Sequence, residues 1–313
     1  MRTLMTEIYP SYLKLAESGE IQKRVSAFKE MLRNCELCPR RCGVDRISGE
    51  TGFCRSGDQA MVSSYNAHFG EEPPLVGQGG SGTIFLTNCT MKCVFCQNYP
   101  ISQEGVGREY TVEQMANMYL SLQKRGCENI NFVTPTHLLP QIIEALLIAI
   151  EKGFHLPLVY NTSGYERVEI IQMLEEIFDI YLPDIKYSDN NMARKYSGAS
   201  DYVENNRKSL KEMYRQVGDL ECDERGTARK GLIIRHLVLP NEISGSEESL
   251  RWLARELSPD VYVALMSQYF PAWKAPGIEE ISRRVPPSEY RPVKDLYKQL
   301  GFNGWVQTQG QTL

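Results

Sequence analysis

The sequence predicts an α/β protein: a partial (β/α)6, TIM-like barrel, open on one side, carrying a small N-terminal helical and cysteine-rich metal-binding module. Three observations lead there. Strand-like and helix-like runs alternate after residue 83 until six strands are counted, the order that a parallel sheet with crossover helices requires. Of nine cysteines, four fall at 35–54 and three at 89–96, while Cys127 and Cys222 stand alone. A helical apolar period runs up to the first cysteine group and stops there. Six units suit an open barrel better than a closed one, which needs eight. A doubly wound open sheet is the alternative.

Tyr12, Leu13, Leu15, Ile21, Val25, Phe28 and Leu32 recur at helical spacing, so residues 1–30 read as a helical packing arm. From 34 to 57 cysteine, arginine and glycine replace that period, as in a module too small for its own core and stapled by metal. The expected division is 1–75 for the arm and module and 76–313 for the catalytic domain. A glycine-rich approach at 77–82 leads into a strand at 83–87, which places the second cysteine group on a loop at a strand's C-terminal end. Helices follow at 111–124, 138–152, 168–178, 202–217 and 247–257. Between them lie strands at 129–133, 156–160, 180–182, 231–239 and 261–266.

The formal net charge of −4 provides no basic field for phosphates and disfavours a nucleic-acid substrate. The most apolar stretch, 142–150, carries Glu144 and is too short to span a bilayer. The first ten residues lack the basic and apolar regions of an export signal, so the expected compartment is the cytoplasm.

Cys89, Cys93 and Cys96 stand in C-x3-C-x2-C spacing. Three thiolates on one loop can hold three irons of a 4Fe-4S cubane and leave the fourth without a protein ligand, open to a substrate. A zinc knuckle lacking its fourth ligand is the competing reading. Cys35, Cys38, Cys42 and Cys54 supply four thiolates, which close a site. Ligand type leaves both zinc and an auxiliary iron-sulfur cluster open there.

The run Cys89-Thr90-Met91-Lys92-Cys93-Val94-Phe95-Cys96 resembles the signature of the radical S-adenosylmethionine (SAM) superfamily, with an aromatic residue before the third cysteine. Together with residues 97–102, Gly82-Thr83-Ile84-Phe85 and the front cysteines, it is similar to the branch related to pyruvate formate-lyase activating enzymes, in particular members with an N-terminal cysteine motif. The likeness covers about residues 34–270 and is strongest at 68–102. It implies an enzyme whose reduced cluster cleaves SAM, the resulting 5′-deoxyadenosyl radical taking a hydrogen atom from a substrate. It also implies an electron donor such as flavodoxin or ferredoxin. The substrate, a protein or a small molecule, is left unnamed, and a glycyl-radical activase is the precedent.

The resemblance implies a set of cofactor-binding residues. Phe95 and Asn98 lie in the cysteine segment. Thr134 and Thr136 stand where the family carries a glycine-rich motif for the SAM amino group. Asn161 and Ser163 match an Asp-Thr-Asn-Gly segment, with the aspartate's charge removed. Asp184 and Lys186 match Asp-Leu-Lys, and Arg235 matches an Arg-Tyr-Val-Val-Val-Pro strand. The family's Leu-Pro-Tyr-His appears as Met266-Ser267-Gln268-Tyr269, so the histidine's role passes to Gln268, Tyr269 or neither. Glu71-Glu72-Pro73-Pro74 resembles a segment of this branch without an assigned role. From a different class, the competing function is a zinc- or iron-sulfur-binding scaffold or electron carrier without SAM chemistry. A carrier has no use for matched residues at four later strand ends.

Overall fold

The computed structural model describes residues 9–307. Ten strands form one sheet. They are β1 (Ala60–His68), β2 (Ser81–Leu86), β3 (Arg108–Tyr110), β4 (Ile130–Val133), β5 (Leu158–Thr162), β6 (Ile180–Pro183), β7 (Glu221–Cys222), β8 (Ala228–Leu237), β9 (Tyr262–Met266) and β10 (Asn303–Val306). Their spatial order is β10-β9-β8-β6-β5-β4-β2-β1-β3, with β7 beside β8.

From β2 to β10 along that order every neighbouring pair is parallel. A doubly wound sheet reverses its strand order at a switch point. Here chain order and spatial order run together, so the open-barrel reading stands over the doubly wound alternative. The sheet remains open, with β10 at one edge and the antiparallel β1 and β3 at the other.

The expected six parallel strands are joined by a seventh, β10. Its sequence, Asn303-Gly304-Trp305-Val306, hides the strand because Gly304 interrupts it. A Cβ on Gly304 would lie 2.5 Å from the Val263 carbonyl oxygen, so β9 and β10 approach as only glycine permits. The helix expected over 168–178 is regular only over Val168–Gln172. Turns carry the chain on to Glu176, which is left-handed (φ 63°), yet Leu174 and Ile177 are still fully buried.

The N-terminal arm is two helices, Tyr12–Glu17 and Glu20–Glu30, broken at Gly19 (φ 72°). They bury Tyr12, Leu15, Ile21, Val25 and Phe28, and the second packs on the helix Leu139–Glu151. The part expected before residue 9 lies outside the described residues. Thr111 caps the helix Val112–Lys124 in a reciprocal capping box with Gln114. Among the described residues no helix is long and apolar enough to cross a membrane.

Strand side chains alternate between faces. On the inner face Val159, Ile180, Leu182 and Ile233 close around Leu75 of the short helix Pro73–Val76, forming an apolar floor. Asn129, just before β4, holds this plug by donating to the Leu75 carbonyl at 2.7 Å. Two residues further along each strand, the same face carries Asn161, Asp184 and Arg235. The interior therefore turns from apolar to charged at the C-terminal ends of the strands.

Candidate active site

The cysteine loop leaves β2 through Asn88, whose φ of 74° is a left-handed value that asparagine tolerates better than most residues. Its backbone is tied to other segments. Lys92 N–H donates to Ser197 O at 3.0 Å, Val94 N–H donates to Tyr196 O at 2.8 Å, and Val94 O accepts from Lys274 N at 3.0 Å. Phe95 is buried, edge-on to Tyr269 with ring centroids 5.9 Å apart. Asn98 is exposed at the start of the short helix Tyr99–Ser102 and makes no side-chain cap bond.

The Cys89 sulfur accepts the Met91 N–H at 3.3 Å, and Ser197 Oγ donates to the Cys93 sulfur at 3.0 Å. Cys96 Sγ lies 3.1 Å from Ser102 Oγ. Burial raises the pKa of the Cys89 thiol, and the negative charges of Cys93 and Cys96 raise it further. Burial likewise pushes Cys93 up to about 11, against the opposing pull of Lys186. Thiolates that repel one another in a buried loop call for positive charge between them, which iron supplies, so the donor set fits a cluster. Among the described residues no three His, Cys, Asp or Glu side chains are spaced as ligands of one ion. A cubane's thiolates bind separate irons and stand further apart.

Facing this loop is a charged group built from three strand ends. Arg235 Nε donates to Asp184 Oδ1 at 2.8 Å and its Nη2 to Asn161 Oδ1 at 2.6 Å, while Lys186 Nζ donates to Asp184 Oδ2. Against the penalty of burial, Arg235 and then Lys186 hold the Asp184 carboxyl below the usual carboxylate range. Burial opposes the charge on Lys186, but Asp184 and Cys93 together keep its pKa raised. From the floor Glu71 Oε2 comes within 4.0 Å of Arg235 Nη1. Burial raises the pKa of Glu71, opposed by Arg235, and also that of its neighbour Glu72.

Several polar atoms here are left without partners. Ser163 Oγ, both amide atoms of Asn131 and Glu72 Oε2 are buried without a hydrogen-bond partner. Orphaned donors and acceptors at strand ends mark a place for a ligand. Thr134 adds a second sign. Its φ of 62° is a strained value for a β-branched residue, fixed by its N–H bond to Asn161 O at 2.8 Å.

Not every expected residue joins this group. Thr136 is turned away, donating from Oγ1 to the buried Glu166 at 2.6 Å. Gln268 is occupied at the β9–β10 edge, where its Oε1 accepts from Gln307 Nε2 at 2.9 Å. Sequence reasoning gave no role to Ser197, which no local pattern marks, or to Glu71, whose segment was noted only for its resemblance.

Thr162 and Tyr160 hydroxyls also donate to Glu166, so one buried carboxylate ties the end of β4 to that of β5. Burial pushes Glu166 up to about 7, with the three hydroxyls opposing. A carboxyl whose folded pKa is raised stabilises the fold below its unfolded pKa, near 4.5, and loses that contribution as pH rises through the folded value. Wild type measured against Glu166→Gln is therefore expected to lose about 3 kcal/mol of relative stability between pH 4.5 and 8. Anaerobic urea unfolding at intervals across that range checks it; a pH-independent difference contradicts the buried-acid assignment.

Comparisons with known proteins agree with this geometry. The sequence pattern of the radical SAM superfamily matches residues 83–219. An uncharacterized protein of Methanocaldococcus jannaschii is 30% identical over 300 residues, covering 93% of this chain and 82% of the relative. The pyruvate formate-lyase-activating enzyme of Staphylococcus epidermidis is 25% identical over 250 residues, 74% of this chain and 92% of the relative. Among solved structures, a radical SAM methyltransferase from Sphaerobacter thermophilus shares the fold, with a TM-score of 0.51 at 16% identity over 74% of this chain and 67% of that one. With the cysteine loop at the end of the first parallel strand, and a sheet that follows chain order without closing, these likenesses make the chain a member of the radical SAM superfamily.

Proposed function

We propose that this chain reductively cleaves SAM and withdraws a hydrogen atom from a substrate held in the barrel mouth, with Cys89, Cys93 and Cys96 as the ligands of its 4Fe-4S cluster. Members of the superfamily are enzymes that use such a cluster with SAM and take their electron from a reductant such as flavodoxin or ferredoxin. One observation carries the assignment to these residues: three thiols on one loop face the Asp184–Lys186–Arg235 group, the Cys93 thiol close enough to feel the Lys186 charge. Held by Cys89, Cys93 and Cys96, a reduced cluster would supply the electron for cleavage of SAM to methionine and, with the substrate's hydrogen atom, 5′-deoxyadenosine.

The chain's own residues orient and shield. Lys186 and Arg235 present positive charge to the SAM carboxylate, with Asp184 between them setting their positions. The Ser163 hydroxyl and the left-handed turn at Thr134 receive the ammonium end. Phe95 and Tyr269 cover the loop's inner side and keep water away. The Staphylococcus relative's name supports the finer reading, activase-like chemistry on a glycyl residue of a partner protein. Anaerobic protein incubated with dithionite and SAM is expected to release methionine and 5′-deoxyadenosine in equal amounts. A loaded, reduced protein that leaves SAM intact refutes the proposal.

A further inference from the structure

The four front cysteines lie outside the barrel mouth. Cys35, Cys38, Cys42 and Cys54 line a nearly closed cavity of about 10 Å3, which Arg46 and His137 share. That is room for about one water-sized sphere. Zinc binds sulfur at about 2.3 Å, closer than such a sphere approaches a sulfur atom without overlap. Among the described residues no three of these side chains are spaced as ligands of one ion, and a cubane's thiolates, each on its own iron, stand further apart.

Arg46 suits this cavity to an anionic occupant. Arg46 is 1% exposed, and its bonds go to carbonyls, Nε to Gly57 O at 2.9 Å and Nη1 to His137 O at 2.8 Å. It has no carboxylate partner among the described residues, and Nη1 stands 3.9 Å from Cys35 Sγ. A buried guanidinium without an acid is uncompensated unless the thiols are thiolates. His137 is also 1% exposed. Its Nε2 donates to Thr87 O at 2.8 Å, which leaves the buried Nδ1 an acceptor without a partner.

We propose that Cys35, Cys38, Cys42 and Cys54 hold a second iron-sulfur cluster, a cubane with one thiolate on each iron and Arg46 offsetting its negative charge. With every iron ligated, this centre has no open position for a substrate and serves only to accept and pass electrons. It is braced directly on the first cysteine loop. Arg40 Nε donates to Thr90 O at 3.0 Å, Asn88 Nδ2 donates to Ser56 Oγ at 3.2 Å, and the His137–Thr87 bond ends two residues before Cys89.

The test removes the other site. A Cys89→Ala/Cys93→Ala/Cys96→Ala variant of the full chain, reconstituted anaerobically with iron and sulfide, is expected to be brown and to hold about four irons and four sulfides per chain. Wild type is expected to hold about twice that. Zinc without acid-labile sulfide in the folded variant overturns the proposal, and so does a folded, metal-free variant. Should the triple variant not fold, Cys38→Ser/Cys54→Ser provides the converse measurement: iron and sulfide fall to half the wild-type content, and an unchanged content overturns the proposal. Wild type that holds both clusters and leaves SAM intact sinks the SAM-cleavage reading alone.

Discussion

Cys93→Ala is expected to abolish 5′-deoxyadenosine formation while leaving the chain folded. Two remaining thiolates cannot hold a cubane with one open iron, so the loss is chemical. The bonds that shape the loop, Lys92 N to Ser197 O and Val94 N to Tyr196 O, are backbone bonds and survive the substitution. Only the hydrogen bond from Ser197 Oγ loses its acceptor, and that hydroxyl keeps the Tyr187 hydroxyl at 2.7 Å. Product analysis after anaerobic reduction, beside circular dichroism of the same sample, separates the two effects. Full product formation by the folded variant would remove Cys93 from the cluster.

Asp184→Asn is expected to raise the SAM dissociation constant by at least about tenfold, equivalent to 1.4 kcal/mol. The carboxylate lies between Arg235 and Lys186, so neutralising it leaves two partly buried cations that repel each other and move from the positions in which they meet the SAM carboxylate. Lys186→Met is expected to act in the same direction but more weakly, because Asp184 keeps Arg235. SAM titration of the reduced protein, followed by electron paramagnetic resonance, gives both constants. Wild-type affinity in both variants would make this strand end scaffolding.

What the sequence disclosed depended on whether the signal was local. The capping box at Thr111 and the helix Tyr202–Val217 were legible because cap, period and length sit within one segment. The strand β1 was not: Ser63, Ser64 and Asn66 interrupt its apolar residues, and it is held by pairing with β2. The late helix Pro287–Leu300 carried no expectation, and Pro286, Pro287 and Pro292 mask its pattern. In the site, Asp184 and Arg235 come together because they are level in the register of neighbouring strands, and the long Arg235 side chain reaches back to Asn161, which is level with Leu182. The position of Thr136 could not be read, because Glu166, which holds its hydroxyl, is thirty residues away. Nor could the charge on Glu71 be placed inside the barrel before the plug at Leu75 was known.

The backbone bonds of the cysteine loop also bear on how it acquires its metal. Thr87, Asn88, Lys92 and Val94 all donate their N–H groups to fixed partners in the surrounding fold. Ordering a chain segment removes about 1–2 kcal/mol of conformational entropy per residue, and here that loss is met when the protein folds. The cluster proposed for this loop would therefore meet ligands already ordered by the fold, unlike a zinc finger, whose ligands are unfolded until metal arrives. On that proposal, loss of the cluster to oxygen is expected to leave these backbone bonds in place and the loop able to take up another.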